Sequence, residues 1–285
     1  MQIRKYKIAD CIIELRIPFE CLEQDRFQIF HGTGEPDIIV EFRVCAERPV
    51  DLGELIYSSD IHVFQKEGQL CIEHYVSVRE KPYAWLIWQK QAPKRLTCFL
   101  LREDIELCSN IAHLFQLIRL EQICMVMKST ILHTSFISWR GEGILFTAPS
   151  GTGKSTQAEL WRRIEKAEII NGDRAILRKS DGEWRAYGLP YAGSSDIFRN
   201  ESAPIKAVVV LRQADHNEIR QLRPAEAFKW IYSETIIRSW DSEFQKNIAD
   251  LLTDLVMHEP VYMLKCLPDE EAVAVLKQKL ENSQE

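Results

Sequence analysis

The sequence predicts an α/β protein with a β-rich front: strands dominate residues 1–106, and helices alternate with strands over residues 107–285. Three observations carry this division. Apolar residues over the first hundred positions run or alternate at strand length. Near residue 110 the period lengthens to three and four residues. At Gly143–Trp161 an apolar run enters a small-residue loop with a lysine and leaves as a helix, "GILFTAPSGTGKSTQAELW".

In the front part, strands are expected at Cys11–Ile17, Pro36–Val44, His62–Val76, Tyr83–Gln89 and "LTCFLL", with Glu67-Gly68 as a hairpin turn inside the third. Leu114, Leu117, Leu120, Cys124 and Met127 then mark one amphipathic helix from about Asn110 to Lys128. "ILHTSFIS", a turn at "WRGEG", and "ILFT" make a strand pair leading into the loop. Beyond it, strands are expected at Ala207–Leu211 and Val261–Cys266. Helices are expected from Pro224 to about Trp240, from Asp241 to His258, and from Pro268 to Glu281. Both prolines suit a first helical turn, and Asp241 suits an N-cap. Alternation of helix and strand is the mark of an α/β core.

The chain has 285 residues, room for two modest domains, and its 46% hydrophobic content is that of a globular protein. A net charge of −6, with no long basic block, argues against nucleic acid as a partner. "MQIRKYKIAD" lacks an apolar signal core and no long uncharged run follows, so no membrane partner is expected and the cytoplasm is the expected location. The eight cysteines form no C-x-x-C pair and read as reduced core thiols, and the seven tryptophans as core packing.

Ala148-Pro-Ser-Gly-Thr-Gly-Lys-Ser155 fits the phosphate-loop pattern, with alanine in place of the first glycine. Gly151 and Gly153 permit conformations that turn successive N–H groups inward as an anion nest, and the helix that follows adds its positive end. The expected nucleotide-binding set is Ser150, Gly151, Thr152, Gly153, Lys154, Ser155 and Thr156. Lys154 can reach the β- and γ-phosphates, and Ser155 can hold Mg²⁺. Nucleotide-borne Mg²⁺ also takes a carboxylate. Asp173, 19 residues after Lys154 and at the end of the short apolar strand "AEII", is placed to supply it. A strand, an Asp181-Gly182 turn and another strand follow. P-loop kinases of small metabolites usually continue into helices there, so the hairpin points elsewhere.

"SGTGKST" followed by "IINGDR" and then β structure resembles the superfamily of HPr kinase/phosphorylase and ATP-dependent phosphoenolpyruvate carboxykinase, most clearly from His133 to Pro190. "LHTSFISWRGEGILFTAPSGTGKST" is similar to the HPr kinase run in which a histidine-bearing strand leads to the loop, and His133 matches that histidine. "YGLPYAGS" and Asn200–Ile219 fit the HPr-kinase-related proteins found with ribosomally made, modified peptides. The resemblance implies a P-loop core with a mixed sheet and flanking helices, ATP and Mg²⁺ as cofactors, and a homo-oligomer. It also implies γ-phosphate transfer to serine or threonine on a peptide or small protein.

The sequence departs from both parents, which carry two adjacent aspartates where this chain has Gly172-Asp173-Arg174. Aligned on "Asp-Asp-Arg", Asp173 is the metal-side residue and the base is lost to Gly172. Aligned on "Gly-Asp-Asp", Asp173 is the first and Arg174 replaces the second. Thr156 stands where HPr kinase has an acidic residue. The metal-binding and substrate-binding set of a carboxykinase is missing, which excludes that activity.

The resemblance therefore implies Lys154 on the phosphates, Ser155 and Asp173 on Mg²⁺, and Thr156 near the α-phosphate. The base is Asp173 or a residue the sequence does not reveal, with His133 the next candidate. Arg174 either meets a phosphate or pairs with an acid. Arg199 and Asn200 either line an acceptor cleft or belong to a solvated loop. Three functions stay open: a peptide or small-protein kinase, a non-catalytic or regulatory ATP-binding protein, and a kinase of a small hydroxyl metabolite.

Overall fold

A computed structural model describes residues 1–75, 81–191, 193 and 195–282. Val76, expected to end a strand, and Ala192 and Ser194 of "YGLPYAGS" lie outside these. The chain is mixed α/β and divides into two compact units, Met1–Val126 and Met127–Glu285.

The first unit holds one eight-stranded sheet: β1 (Gln2–Ile8), β2 (Cys11–Ile17), β3 (Ile38–Cys45), β4 (Glu54–Ser58), β5 (Ile61–Lys66), β6 (Gln69–Tyr75), β7 (Pro82–Gln89) and β8 (Arg95–Leu101). Their order is β1-β2-β3-β8-β7-β6-β5-β4. The two strands that the sequence pattern does not reveal, β1 and β4, are the two edges. An edge strand needs less buried surface: β1 is charged at Arg4, Lys5 and Lys7, and β4 has no buried residue. Glu67-Gly68 forms the β5–β6 turn with positive φ at both positions, as a two-residue hairpin of this hand requires. Glu73 is buried in this unit, but Arg48 Nε (2.7 Å) and Trp85 Nε1 (2.6 Å) donate to it, so its charge is compensated.

The helix expected at Asn110–Lys128 is broken in two, α1 (Ile111–Leu117) and α2 (Leu120–Val126), by Arg119 in the left-handed region. Asn110 caps α1 through a bond from the His113 N–H, 2.8 Å. The division between units lies 20 residues beyond the one expected after residue 106. The cause is packing: Phe115 of α1 meets Tyr6 edge-on at 5.1 Å and lies against Phe27 at 6.1 Å.

The second unit contains β9 (Ser129–Trp139), β10 (Glu142–Thr147), α3 (Lys154–Glu165), β11 (Glu168–Asn171), β12 (Arg174–Ser180), β13 (Glu183–Tyr187), β14 (Ser202–Gln213), β15 (Glu218–Gln221), α4 (Pro224–Ser233), α5 (Ser242–His258), β16 (Val261–Cys266) and α6 (Glu270–Asn282). Its mixed sheet runs β10-β9-β12-β13-β14-β16-β15, with β11 on β9. β10 also pairs with β14, so β10-β9-β12-β13-β14 closes into a ring. β10, β14 and β16 are parallel neighbours, so their C-terminal ends emerge on one rim.

Trp161 fixes α3 to the sheet. It is fully buried, edge-on to Trp139 at 5.2 Å and beside Phe146 at 6.4 Å. Two expected helices differ in extent. Pro268 precedes α6, whose start is capped by Asp269 accepting from the Ala272 N–H at 3.0 Å. The helix expected to reach Trp240 stops at Ser233. There the backbone turns to pair with β9: the His133 N–H donates to Glu234 O (2.9 Å) and the Ile236 N–H to Ile131 O (3.1 Å). β-branched Thr235-Ile236-Ile237 suits that extended path better than a helix.

Candidate functional site

The loop between β10 and α3 is built by local rules. Gly151 (φ 79°) and Gly153 (φ 118°) hold backbone conformations that a β-carbon disfavours. Nothing lies within 4 Å of where either β-carbon would be, so the demand is for backbone freedom and not for space. Gly153 caps α3 without a side-chain acceptor, which leaves first-turn N–H groups available to an anion. Lys154 is buried and donates from Nζ to Ala148 O (2.7 Å) and Pro149 O (3.4 Å), so the ammonium is folded across its own loop. Burial lowers its pKa from the usual lysine value, against the pull of the Glu234 and Asp173 carboxylates.

A cavity of about 260 Å³ opens on this loop. Ser150, Gly151, Gly153, Lys154, Ser155 and Thr156 form one side; His133, Gly172, Asp173 and Ser195 form the other. The residues expected to hold nucleotide and metal or to act as the base, except Thr152, therefore meet in one place, while Arg174, Arg199 and Asn200 do not line it. Thr152 turns inward, its hydroxyl donating to Pro149 O at 2.8 Å, and lines a second cavity instead.

The opposite side rests on Asn171, which is fully buried and uses its whole hydrogen-bonding capacity. Its Oδ1 accepts from the Asp173 N–H (3.0 Å) and the Arg174 N–H (2.9 Å), and its Nδ2 donates to Leu189 O (3.2 Å) and Tyr191 O (3.1 Å). This fixes the turn that presents Asp173. Gly172 is a glycine for want of room: a β-carbon there would lie 2.1 Å from Ser195 Oγ and 2.5 Å from Ser195 Cβ. Ser195 thus fills the space a side chain at 172 would need.

Asp173 Oδ1 lies 3.5 Å from His133 Nε2, and Asp173 Oδ2 lies 3.1 Å from Arg174 Nε. The bond from His133 is the largest cause holding the Asp173 carboxyl below the usual carboxylate range, with Arg174 and Lys154 adding to it against burial. On its other side, His133 Nδ1 is 3.1 Å from Glu234 Oε2. His133 Nε2 faces Asp173, and because a carboxylate only accepts, a ring nitrogen that carries a proton donates it to the carboxylate on its own side. Glu234, largely buried at the end of α4, is the residue sequence reasoning missed. Its signal was the β-branched run after it, which argues against a continuing helix. Arg199 pairs with Glu168 at 2.8 Å on the surface, and neither it nor Asn200 lines the cavity.

Ser155 and Asp173 bring a hydroxyl and a carboxylate to the same cavity. Among the described residues no group of three or more His, Cys, Asp or Glu side chains is arranged for a metal. That set fits Mg²⁺ that arrives on phosphate oxygens and not a resident ion held by protein alone. Among the described residues no helix is long and apolar enough to cross a membrane.

Fold and site together define a mixed α/β protein in which a glycine-lysine loop faces an acid–imidazole–acid row. The sequence family described as "SynChlorMet cassette protein ScmC" matches residues 100–268, more than half of the chain, and this chain belongs to that family. No curated relative matches it. Among solved structures, the Hpr(Ser) kinase/phosphatase from Coxiella burnetii aligns over 54% of this chain and 94% of that chain, at 14% identity and a TM-score of 0.32. That likeness is too loose to carry an argument.

Proposed function

We propose that the protein is an ATP-dependent phosphotransferase that moves the γ-phosphate of Mg-ATP to a serine or threonine hydroxyl of a peptide or small protein. The carrying observation is the single cavity in which Lys154, Ser155 and the loop N–H groups face Asp173 and His133. Phosphoryl transfer asks a protein mainly for positioning and charge neutralisation, and both sides of this cavity supply them. Membership of a family named for a cassette supports an acceptor made by another product of that cassette.

The loop N–H groups and Lys154 bind the phosphates, Lys154 exchanging its bonds to Ala148 O and Pro149 O for phosphate oxygens. Ser155 Oγ and the Asp173 carboxylate would hold Mg²⁺, which when bound would neutralise phosphate charge. The acceptor oxygen bonds to the γ-phosphorus as the bond to the β,γ-bridging oxygen breaks, and ADP leaves. The acceptor proton passes to the Asp173 Oδ1–His133 Nε2 pair. Glu234 fixes the imidazole by accepting from Nδ1–H, the orienting role that a buried carboxylate plays beside a catalytic histidine.

One observation favours a second reading, a nucleotide-binding protein without turnover. Arg174 already occupies one oxygen of Asp173, and Ser195 closes the position of a second carboxylate at Gly172. The test is incubation with Mg-ATP and the peptides encoded beside the gene, read by mass spectrometry. A gain of one phosphate that disappears in Asp173→Asn supports transfer. Tight ATP binding with no labelled acceptor, and cellular function intact in Asp173→Asn, favours the second reading.

A further inference from the structure

Among the described residues, the phosphate cavity offers no surface for a nucleobase. Its lining is small or polar, and the one ring in it, His133, is engaged by Asp173 and Glu234. A second cavity of about 380 Å³ adjoins it across the loop and shares Ser150 and Gly151 with it. Leu211, Arg212 and Gln213 at the C-terminal end of β14 and Trp230 of α4 line the far side. β14 is the parallel neighbour of β10, so this cavity lies on the sheet rim where α/β folds collect ligands. Gln213 Nε2 donates to Gly151 O (3.4 Å), tying that rim to the loop. Trp230 is only partly buried, and the exposed Arg212 guanidinium carbon lies 6.0 Å from its ring centroid.

Accepting the loop as a nucleoside triphosphate cradle, we infer that the Trp230–Arg212 cavity receives the purine base. The base stacks on the Trp230 indole, and Arg212 offers N–H donors to its ring nitrogens. Leu211 closes the apolar floor, and Gln213 sets the loop's distance from β14. The chemistry of this cavity argues against the phosphate acceptor as its occupant. Neither Asp173 nor His133 lines it, so a hydroxyl bound there would have no group to take its proton.

Calorimetric titration of the full chain with Mg-ATP and with Mg-tripolyphosphate, which has phosphates but no base, tests the assignment. Wild type is expected to bind Mg-ATP about tenfold or more tighter than Mg-tripolyphosphate, the scale of one aromatic–base stack. Trp230→Ala should erase that ratio while leaving tripolyphosphate affinity unchanged. Trp230→Phe should keep most of it, and Arg212→Ala should lower it in part. The inference is overturned if wild type binds both ligands equally, if Trp230→Ala keeps the full ratio, or if it weakens both ligands alike. Failure of wild type to bind either ligand would instead sink the phosphate reading of the loop, and this inference with it.

Discussion

The two sides of the cavity that brings Lys154 to Asp173 are made in different ways. The loop side, Ser150 to Thr156, is one contiguous stretch whose shape follows from two glycines and the start of a helix. The opposite side draws His133 from β9, Gly172 and Asp173 from the end of β11, and Ser195 from the segment before β14, with Glu234 behind from the end of α4. A contiguous cradle can bind phosphate wherever strand, loop and helix fold locally. An assembled row is correct only when four separate segments are in register. Phosphate binding should therefore depend mainly on the first side, and turnover on the second, whose Asp173 also reaches the nucleotide's Mg²⁺ in the proposed reaction.

The largest expected effect is on the assembled side. Asp173→Asn keeps the shape but cannot take a proton, and transfer should fall by about 10²–10⁴, with ATP affinity changed far less. Steady-state kinetics beside equilibrium binding separates the two, and a parallel collapse of affinity would break the division. Lys154→Ala should weaken Mg-ATP binding by about one to two orders of magnitude, the scale of charge-assisted bonds to phosphate. Calorimetry reads it. Unchanged affinity would mean that Lys154 stays on Ala148 O and never reaches the nucleotide.

Gly172→Asp asks whether the turn beside Asp173 leaves room for a side chain. The new side chain collides with Ser195, so unfolding should become easier by about 1–3 kcal/mol, read as a lowered urea midpoint. Combining it with Ser195→Gly should recover much of that loss. If the single change costs nothing, the turn at Asn171 is looser than its four hydrogen bonds imply.

The same contrast explains what was legible in the sequence. The loop and the helix after it are local, so their residues could be read in order. Asp173 was legible because it ends a strand at a distance one helix can span. Arg174 could only be left between two roles, since its bond to Asp173 depends on how the turn is held. Ser195 gave no signal, because its role is to occupy the volume above a glycine distant in sequence. In the first unit the central strands showed their buried faces, while the edges β1 and β4 did not. Arg119, which breaks α1 from α2, carries no glycine or proline to mark it.

Glu234 is where sequence reading and chemistry part most clearly, and its substitution is the smallest and most discriminating test. Nothing in "YSETIIRSW" punctuates the chain with glycine or proline, so the helix pattern runs on past the residue. Backbone pairing with β9 ends the helix and turns the carboxylate toward His133 Nδ1. Glu234→Gln preserves volume and can still meet Nδ1–H through its amide oxygen, but it replaces a charged acceptor with a neutral one. Transfer should fall by roughly tenfold, the lower part of the range for a positioned proton-transfer group, with ATP affinity unchanged. Glu234→Ala should cost more, because the imidazole then loses its orientation as well. If Glu234→Gln lowers ATP affinity and leaves transfer from bound ATP unchanged, Glu234 acts on Lys154 through its charge. The histidine would then be a structural member of β9.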